Sequence, residues 1–237
     1  MLAVNEYQRI PWGQSLYRIG VLGDGSCFFH ALLLETDPKY HTMSTKDRRQ
    51  AVAKLRRQVV QSLTIKDFHT MSSNGTPLYR DLPVQVQRYH KEYYNVDPSE
   101  VDRLTRELES YAYQLDSPSV EELRTFLHNF LSFREYIANP TEAVGDELHL
   151  LVSRVLDVDV YLTTTQEDGT IGYILHDPEL SYTGRRSVIV HKVPNQQHWE
   201  AVGQFSDQGL VMLFEPDASV IRQLRKCFED HWRTLQS

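Results

Sequence analysis

The run Asp24-Gly25-Ser26-Cys27-Phe28-Phe29-His30 constrains this chain more than any other stretch of it. An acidic, flexible turn leads straight into an apolar, helix-like segment that carries Phe28, Phe29, Ala31, Leu32 and Leu33. Gly25 relaxes the backbone on entry, and Asp24 and Ser26 offer oxygens to the free N–H groups of a first helical turn. Cys27 therefore stands at a helix N-terminus, where the helix dipole and unpaired amides favour thiolate over thiol. A thiolate so placed is a nucleophile for a carbonyl. A buried structural cysteine opening a core helix is the plain alternative.

A nucleophilic thiolate needs a partner that takes and returns protons, and histidine serves near neutral pH. Among ten histidines, His198 is set apart by context: it follows the polar turn Pro194-Asn195-Gln196-Gln197 and begins the strand-like run His198-Trp199-Glu200-Ala201-Val202. Strand alternation puts His198 and Glu200 on one face and Trp199 on the other. A carboxylate two residues on can then lie beside the imidazole and fix its tautomer. Taken alone, His-x-Glu also describes two solvated side chains at a strand end.

Together the two segments resemble the ovarian-tumour (OTU) family of cysteine proteases, which are deubiquitinases. Asp24, Gly25, Cys27, Phe28, Phe29, His30 and Ala31 fill the family's Cys segment in order, and His198, Trp199, Glu200, Ala201 and Val202 fit its His segment. Gly145-Asp146-Glu147-Leu148-His149-Leu150 looks like the family's Gly-x-Glu-Leu helix start, with Val144 where the family usually has Trp. The resemblance spans roughly residues 17–65 and 136–205. It implies Cys27 as nucleophile, His198 as general base and acid, and no metal or cofactor. The orienting acid is left open between Glu200 and Asp24, with the balance tipped slightly towards Asp24. Backbone amides of Asp24, Gly25, Ser26 and Cys27 would form the oxyanion hole, each worth about 3 kcal/mol. The implied partner is ubiquitin or a polyubiquitin chain. A catalytically silent ubiquitin-binding module is an alternative, although the intact Cys27 and His198 argue against it. Another is a papain-like protease acting on a different ubiquitin-like modifier or on a polyprotein.

The chain's 237 residues, 41% of them hydrophobic and 11% aromatic, suit one α/β domain with an elaboration. Two distant cysteines give neither a disulfide framework nor zinc spacing, which points to a reducing compartment such as the cytoplasm. Cys227 falls on a helical stripe with Val220, Ile221, Leu224, Phe228 and Trp232 and reads as core filling. No apolar run approaches the roughly 20 residues of a membrane span, and no signal sequence is read at the start. A net charge of −7 gives no support to nucleic-acid binding. A monomer is expected. A compact domain of this family with a large insertion would suit a bacterial effector or a large DNA virus.

Along the chain, residues 1–16 read as an irregular leader, and Thr45 to about Leu63 as an amphipathic helix. Ser99 with Asp102 and Ser119 with Glu122 match capping boxes, so two helices are expected within 99–136, broken near Asp116-Ser117-Pro118. Asn139, Pro140 and Glu142 suggest a further helix start. After Leu156 the period changes: strands at 158–162 and 171–175 about the turn Gln166-Glu167-Asp168-Gly169, then 187–193, 198–205 and 210–214. A helix closes the chain within 215–237. The sum is a small, mainly antiparallel sheet flanked by helices, in the papain-like OTU manner.

Relative to the family, residues 65–135 are a surplus, mostly helical and rich in tyrosine (Tyr79, Tyr89, Tyr93, Tyr94, Tyr111, Tyr113). Tyrosine suits interfaces, so this helical insertion is a candidate arm for ubiquitin; equally, its tyrosines could pack the extra helices. Trp199 could shape a channel for the ubiquitin tail or simply belong to the core. The loop 176–186, with Asp177, Glu179 and Tyr182, could form a wall whose acids meet the basic residue of that tail.

Overall fold

In chain order the structure, a computed structural model, runs β1 (Tyr7–Arg9), β2 (Leu16–Ile19), α1 (Cys27–Thr36), α2 (Thr45–Ser62) and α3 (Ile65–Thr70). A two-residue pair, β3 (Ser72–Ser73) and β4 (Thr76–Pro77), precedes α4 (Pro98–Ala112), α5 (Val120–Ala138) and α6 (His149–Leu156). The last third holds β5 (Asp159–Thr165), β6 (Ile171–Tyr173), α7 (Pro178–Ser181), β7 (Ser187–Lys192), β8 (Trp199–Ser206), β9 (Gly209–Val211) and α8 (Ser219–Gln236). All residues are described except 13–14, 74–75, 78–97, 113–118, 175–176, 208 and 237. Two units separate, Met1–Leu55 with Pro140–Ser237, and Arg56–Asn139.

The first unit is built on a sheet of seven strands among the described residues, ordered β1-β2-β8-β7-β5-β6, with β9 also on β8. Only β5 and β7 run parallel; every other pairing is antiparallel. This is the mixed α/β class expected from the sequence. Alternation sorts the strand residues onto two faces. Leu16, Tyr161, Ile189 and Val202 form one core with Val220, Ile221, Leu224 and Phe228 of α8. From the other face Trp199 meets Phe28 of α1 at 5.2 Å between ring centroids, and α1 packs along β8 and β7. Nine of the ten residues of α1 are buried, so the helix carrying Cys27 is a central element held by apolar contact at about 1.5–3 kcal/mol per large side chain.

Where β7 stops pairing with β8, a side chain of α1 takes the next amide. The last β7–β8 partners are Val190 and Ala201, and the next amide, that of Val202, donates to the buried Glu35 carboxylate at 2.8 Å. Burial holds the Glu35 carboxyl well above the usual carboxylate range, against the pull of that one amide.

In the second unit Phe68 sits among Phe126, Phe130 and Phe133 at 5.4, 5.6 and 5.5 Å between centroids. Leu104 and Leu108 of α4 are buried as well. Ser119 and Glu122 form a reciprocal capping box at the start of α5. At its other end the buried Arg56 guanidinium donates to the carbonyls of Ile137, at 2.9 Å, and Asn139. Tyr79, Tyr89, Tyr93, Tyr94 and Tyr113 lie outside the described residues, as does the Tyr111 side chain.

Four expectations change. The leader contains β1, whose Tyr7, Gln8 and Arg9 are all exposed; with no buried face there is no alternation to read, and backbone pairing with β2 holds the strand. Helix α4 starts at Pro98, one residue before the expected cap Ser99, because proline fits the first helical position. Asn139 ends α5 instead of starting a helix, and helical structure resumes only with a short turn at Asp146–Leu148. The loop 176–186 contains α7.

Candidate active site

Cys27 is the first residue of α1, and Ser26 is its N-cap. The Ser26 hydroxyl does not bond to its own helix; it donates to the Pro140 carbonyl at 2.7 Å. Gly25 has φ +83°, and a Cβ there would lie 2.5 Å from the Thr141 carbonyl oxygen. Both left-handed backbone and lack of space require glycine. The turn before Cys27 is thus clamped against residues 140–141.

The Cys27 sulfur is lodged against the two peptide groups that flank His198. The Trp199 amide donates to Sγ at 3.3 Å, and the thiol donates to the Gln197 carbonyl at 3.7 Å. Burial pushes the Cys27 thiol up, and the amides of Trp199, Phe28 and Cys27 pull it only part of the way back. The helix terminus alone led to an expected thiolate; desolvation outweighs it here. Burial also pushes His198 down, against the nearby Glu200 carboxylate and with the Met1 ammonium. Both shifts favour the uncharged pair, thiol and imidazole, at rest.

Glu200 is fully buried, and its Oε1 lies 3.8 Å from His198 Nε2. The same oxygen accepts the Leu2 amide at 2.8 Å, and Oε2 lies 3.3 Å from the Arg18 guanidinium. Asp24 is committed elsewhere. Its Oδ1 lies 3.0 Å from His30 Nε2 and accepts the Ser26 amide at 3.4 Å, while Oδ2 accepts Arg49 Nε at 2.9 Å. His30 Nδ1 in turn meets the Tyr40 hydroxyl. Burial raises the Asp24 carboxyl, but Arg49, His30 and Ser26 together outweigh it and hold it below the usual range. The structure therefore brings Cys27, His198 and Glu200 together and ties Asp24 to the helices that carry the turn. Of the two acids expected to orient the base, Glu200 lies beside the imidazole, and the bonds of Asp24 run to His30, Arg49 and the Ser26 amide.

Of the four amides expected to face an oxyanion, that of Ser26 is turned to Asp24. The amides of Cys27 and Phe28 help hold the thiol pKa down; both belong to the first turn, whose N–H groups have no helical partner. Phe28 was missed, although its place in that turn was the available signal.

Trp199 is buried between Phe28 and Gly145; a Cβ on Gly145 would come 2.7 Å from the indole Nε1. Lys192 Nζ lies 5.4 Å from the Trp199 ring and 3.6 Å from Asp146. The ring fills the core behind the site, the second of its two expected roles. Glu147 accepts the Gly145 amide at 3.0 Å, and burial with the neighbouring Asp146 raises its carboxyl to about 7. Tyr182 stacks on Tyr161 at 4.3 Å and meets Phe228 at 5.6 Å, so it joins the α8 core and not a channel wall. Asp177 is half-buried with its carbonyl accepting the Ser181 amide in α7, and the Glu179 side chain lies outside the described residues. Arg18 and the Leu2 amide had no signal in the sequence: one needs the β2–β8 register, the other the path of the first residues.

Among the described residues no cluster of His, Cys, Asp and Glu is arranged to hold a metal ion, and no helix is long and apolar enough to cross a membrane.

No family model matches the chain, and no curated protein matches it. Among solved structures it is similar to the OTU domain of OTUD1, at 18% identity over 79% of this chain and 85% of that one, with a TM-score of 0.35. It is similar to an OTU domain solved in complex with ubiquitin, at 14% identity over 99% and 98%, TM-score 0.43. A third is the viral OTU domain protease from Farallon virus, at 13% identity over 84% and 97%, TM-score 0.36.

Proposed function

We propose that this chain is a thiol hydrolase of the OTU type that cleaves the isopeptide or peptide bond after the C-terminal glycine of ubiquitin. One observation carries the reading: Cys27 Sγ rests against Gln197 and Trp199, on either side of His198, with Glu200 behind the imidazole. The ordered Cys and His segments and their family resemblance supply the substrate class.

With a neutral pair at rest, His198 takes the thiol proton as sulfur attacks the carbonyl carbon. The amides of Cys27 and Phe28, in the unpaired first turn of α1, donate to the oxygen that becomes negative. Collapse breaks the C–N bond, His198 returns its proton to the leaving amine, and a thioester remains on Cys27. Water, deprotonated by His198, then attacks the thioester and releases the ubiquitin carboxylate and the free thiol. Glu200 steadies the imidazolium in both halves. The sequence consumes water alone and calls for no cofactor.

The insertion 65–135 serves in this reading as an arm for the body of ubiquitin, and the enzyme acts as a monomer in a reducing compartment. Hydrolysis of a fluorogenic ubiquitin C-terminal amide by the wild type, abolished in Cys27→Ala, is the expected result. Tight ubiquitin binding without turnover would favour the silent module. Turnover only of another modifier's substrate would replace ubiquitin and keep the chemistry.

A further inference from the structure

The Glu200 carboxylate is buried, yet neither of its two close polar partners outside the site comes from a neighbouring loop of the His segment. Both come from the first eighteen residues: the Leu2 amide on Oε1 and the Arg18 guanidinium on Oε2. The path that delivers the Leu2 amide is tightly specified. Glu6 N donates to the Ala3 carbonyl at 2.9 Å across a turn with Asn5 at φ 64°, and Ala3 N donates back to the Glu6 carboxylate at 2.8 Å. Asn5 N then donates to the Gly20 carbonyl at 2.9 Å, and Gly20 N to the Glu6 carbonyl at 3.0 Å.

Two glycines leave room for this segment. A Cβ on Gly20 would overlap the Ala3 carbonyl and stand 2.9 Å from Leu2 Cβ. A Cβ on Gly23 would stand 2.9 Å from Met1 Sδ and 3.8 Å from His198 Cε1. Residues 1–3 thus run beside the imidazole and end on its carboxylate. Arg18 reaches the same carboxylate from β2, where it is in register with Val202 and therefore shares the face of Glu200.

We propose that the Leu2 amide and the Arg18 guanidinium are positioning groups that keep Glu200 aimed at His198, so that the N-terminal segment is a working part of the catalytic site. This rests on the proposed thiol chemistry but not on ubiquitin as substrate. Two partners on different oxygens fix the direction in which a buried carboxylate points. The groups facing Glu200 are Arg18 from β2, His198, the Leu2 amide and His191, its register partner on β7, and the Met1 ammonium of the same segment acts on His198 against the imidazolium. His191 is bonded through both ring nitrogens to Thr163 and Thr165, at 3.0 and 3.1 Å, and contributes no charge there at neutral pH.

The test compares Leu2→Pro, which removes the N–H, with Arg18→Gln, and uses Val4→Ala on the exposed part of the segment as control. Iodoacetamide modification of Cys27 is followed against pH by mass on its own peptide, and kcat and KM are measured on the ubiquitin amide. With an anchor lost, Glu200 is no longer held against His198, the imidazolium is less supported, and the thiolate forms at higher pH. Leu2→Pro and Arg18→Gln should each move the alkylation midpoint upwards. Each should also lower kcat about tenfold at unchanged KM, Leu2→Pro through the lost hydrogen bond to a charged group and Arg18→Gln through the lost ion pair. Val4→Ala should do neither. Folding is checked by urea midpoint, and Arg18→Gln carries the test if Leu2→Pro unfolds. Alkylation midpoints equal to wild type in folded variants would overturn the inference whatever the substrate. Shifted midpoints in a protein that never cleaves ubiquitin would uphold the inference and discard ubiquitin.

Discussion

His198 Nε2 and Glu200 Oε1 lie 3.8 Å apart, and Glu200 is completely buried. Asp24, the competing candidate, is bonded to His30 and Arg49. Glu200→Ala should therefore lower kcat by roughly 100-fold or more, in the range of a lost acid–base contribution. Asp24→Ala should act through the turn, with a smaller loss of rate and a loss of about 1–2 kcal/mol of stability from bonds to a charged group. Steady-state kinetics with urea denaturation separates the two; a larger loss of kcat in folded Asp24→Ala would reverse the assignment.

The pH dependence of kcat/KM follows from the two shifts at the site. His198 is held below its ordinary value of about 6.5, so the neutral base persists as pH falls. The acid limb should lie below pH 6.5. Cys27 is held above the ordinary thiol range, so the resting pair stays uncharged through neutrality. An acid limb centred above pH 7 would contradict the burial argument.

Two buried groups bias stability in opposite senses. Glu35 has a raised carboxyl pKa, so its contribution is fully present below about pH 4.3 and is lost as pH rises above that. His191 is lowered to about 3 by burial and by Arg18; its contribution is present above about 6.5 and lost as pH falls. Glu35→Gln keeps an acceptor for the Val202 amide and removes the ionisable group. Its thermal midpoint should exceed wild type at pH 8 and match it near pH 4; an equal difference at both would refute the linkage.

Glycine is required at two places around the nucleophile. Gly25→Ala meets left-handed backbone and the Thr141 carbonyl. It should cost at least ~1–2 kcal/mol for the conformation alone and displace the turn that carries Cys27. Gly145→Ala would push on the Trp199 indole, whose amide holds the sulfur. Both variants should lose Cys27 reactivity even where circular dichroism shows a folded protein, and wild-type alkylation rates in either would remove the packing argument.

Much of the site was legible because it is local. Cys27 opens a helix that its own flanking residues announce, and the parity of His198 and Glu200 follows from one strand. Periodicity likewise found α2 and the strands β5 to β8, and the capping box found the start of α5. Unreadable features depend on distant partners or on burial. The Arg49 bond that claims Asp24 spans 25 positions, and the Leu2 amide reaches Glu200 across 198. The exposed β1 has no apolar face to betray it. The charge state of Cys27 was misread because a helix N-terminus is visible in sequence, whereas the depth of its burial is not.

The central claim is that Cys27 attacks the carbonyl at the end of ubiquitin. An electrophilic probe built on the ubiquitin C-terminus, incubated with the intact protein and read by mass spectrometry, tests it most directly. The account predicts a single adduct of one ubiquitin on Cys27, absent in Cys27→Ala and strongly slowed in His198→Ala. No adduct on folded wild type, or an adduct on Cys227, would contradict it.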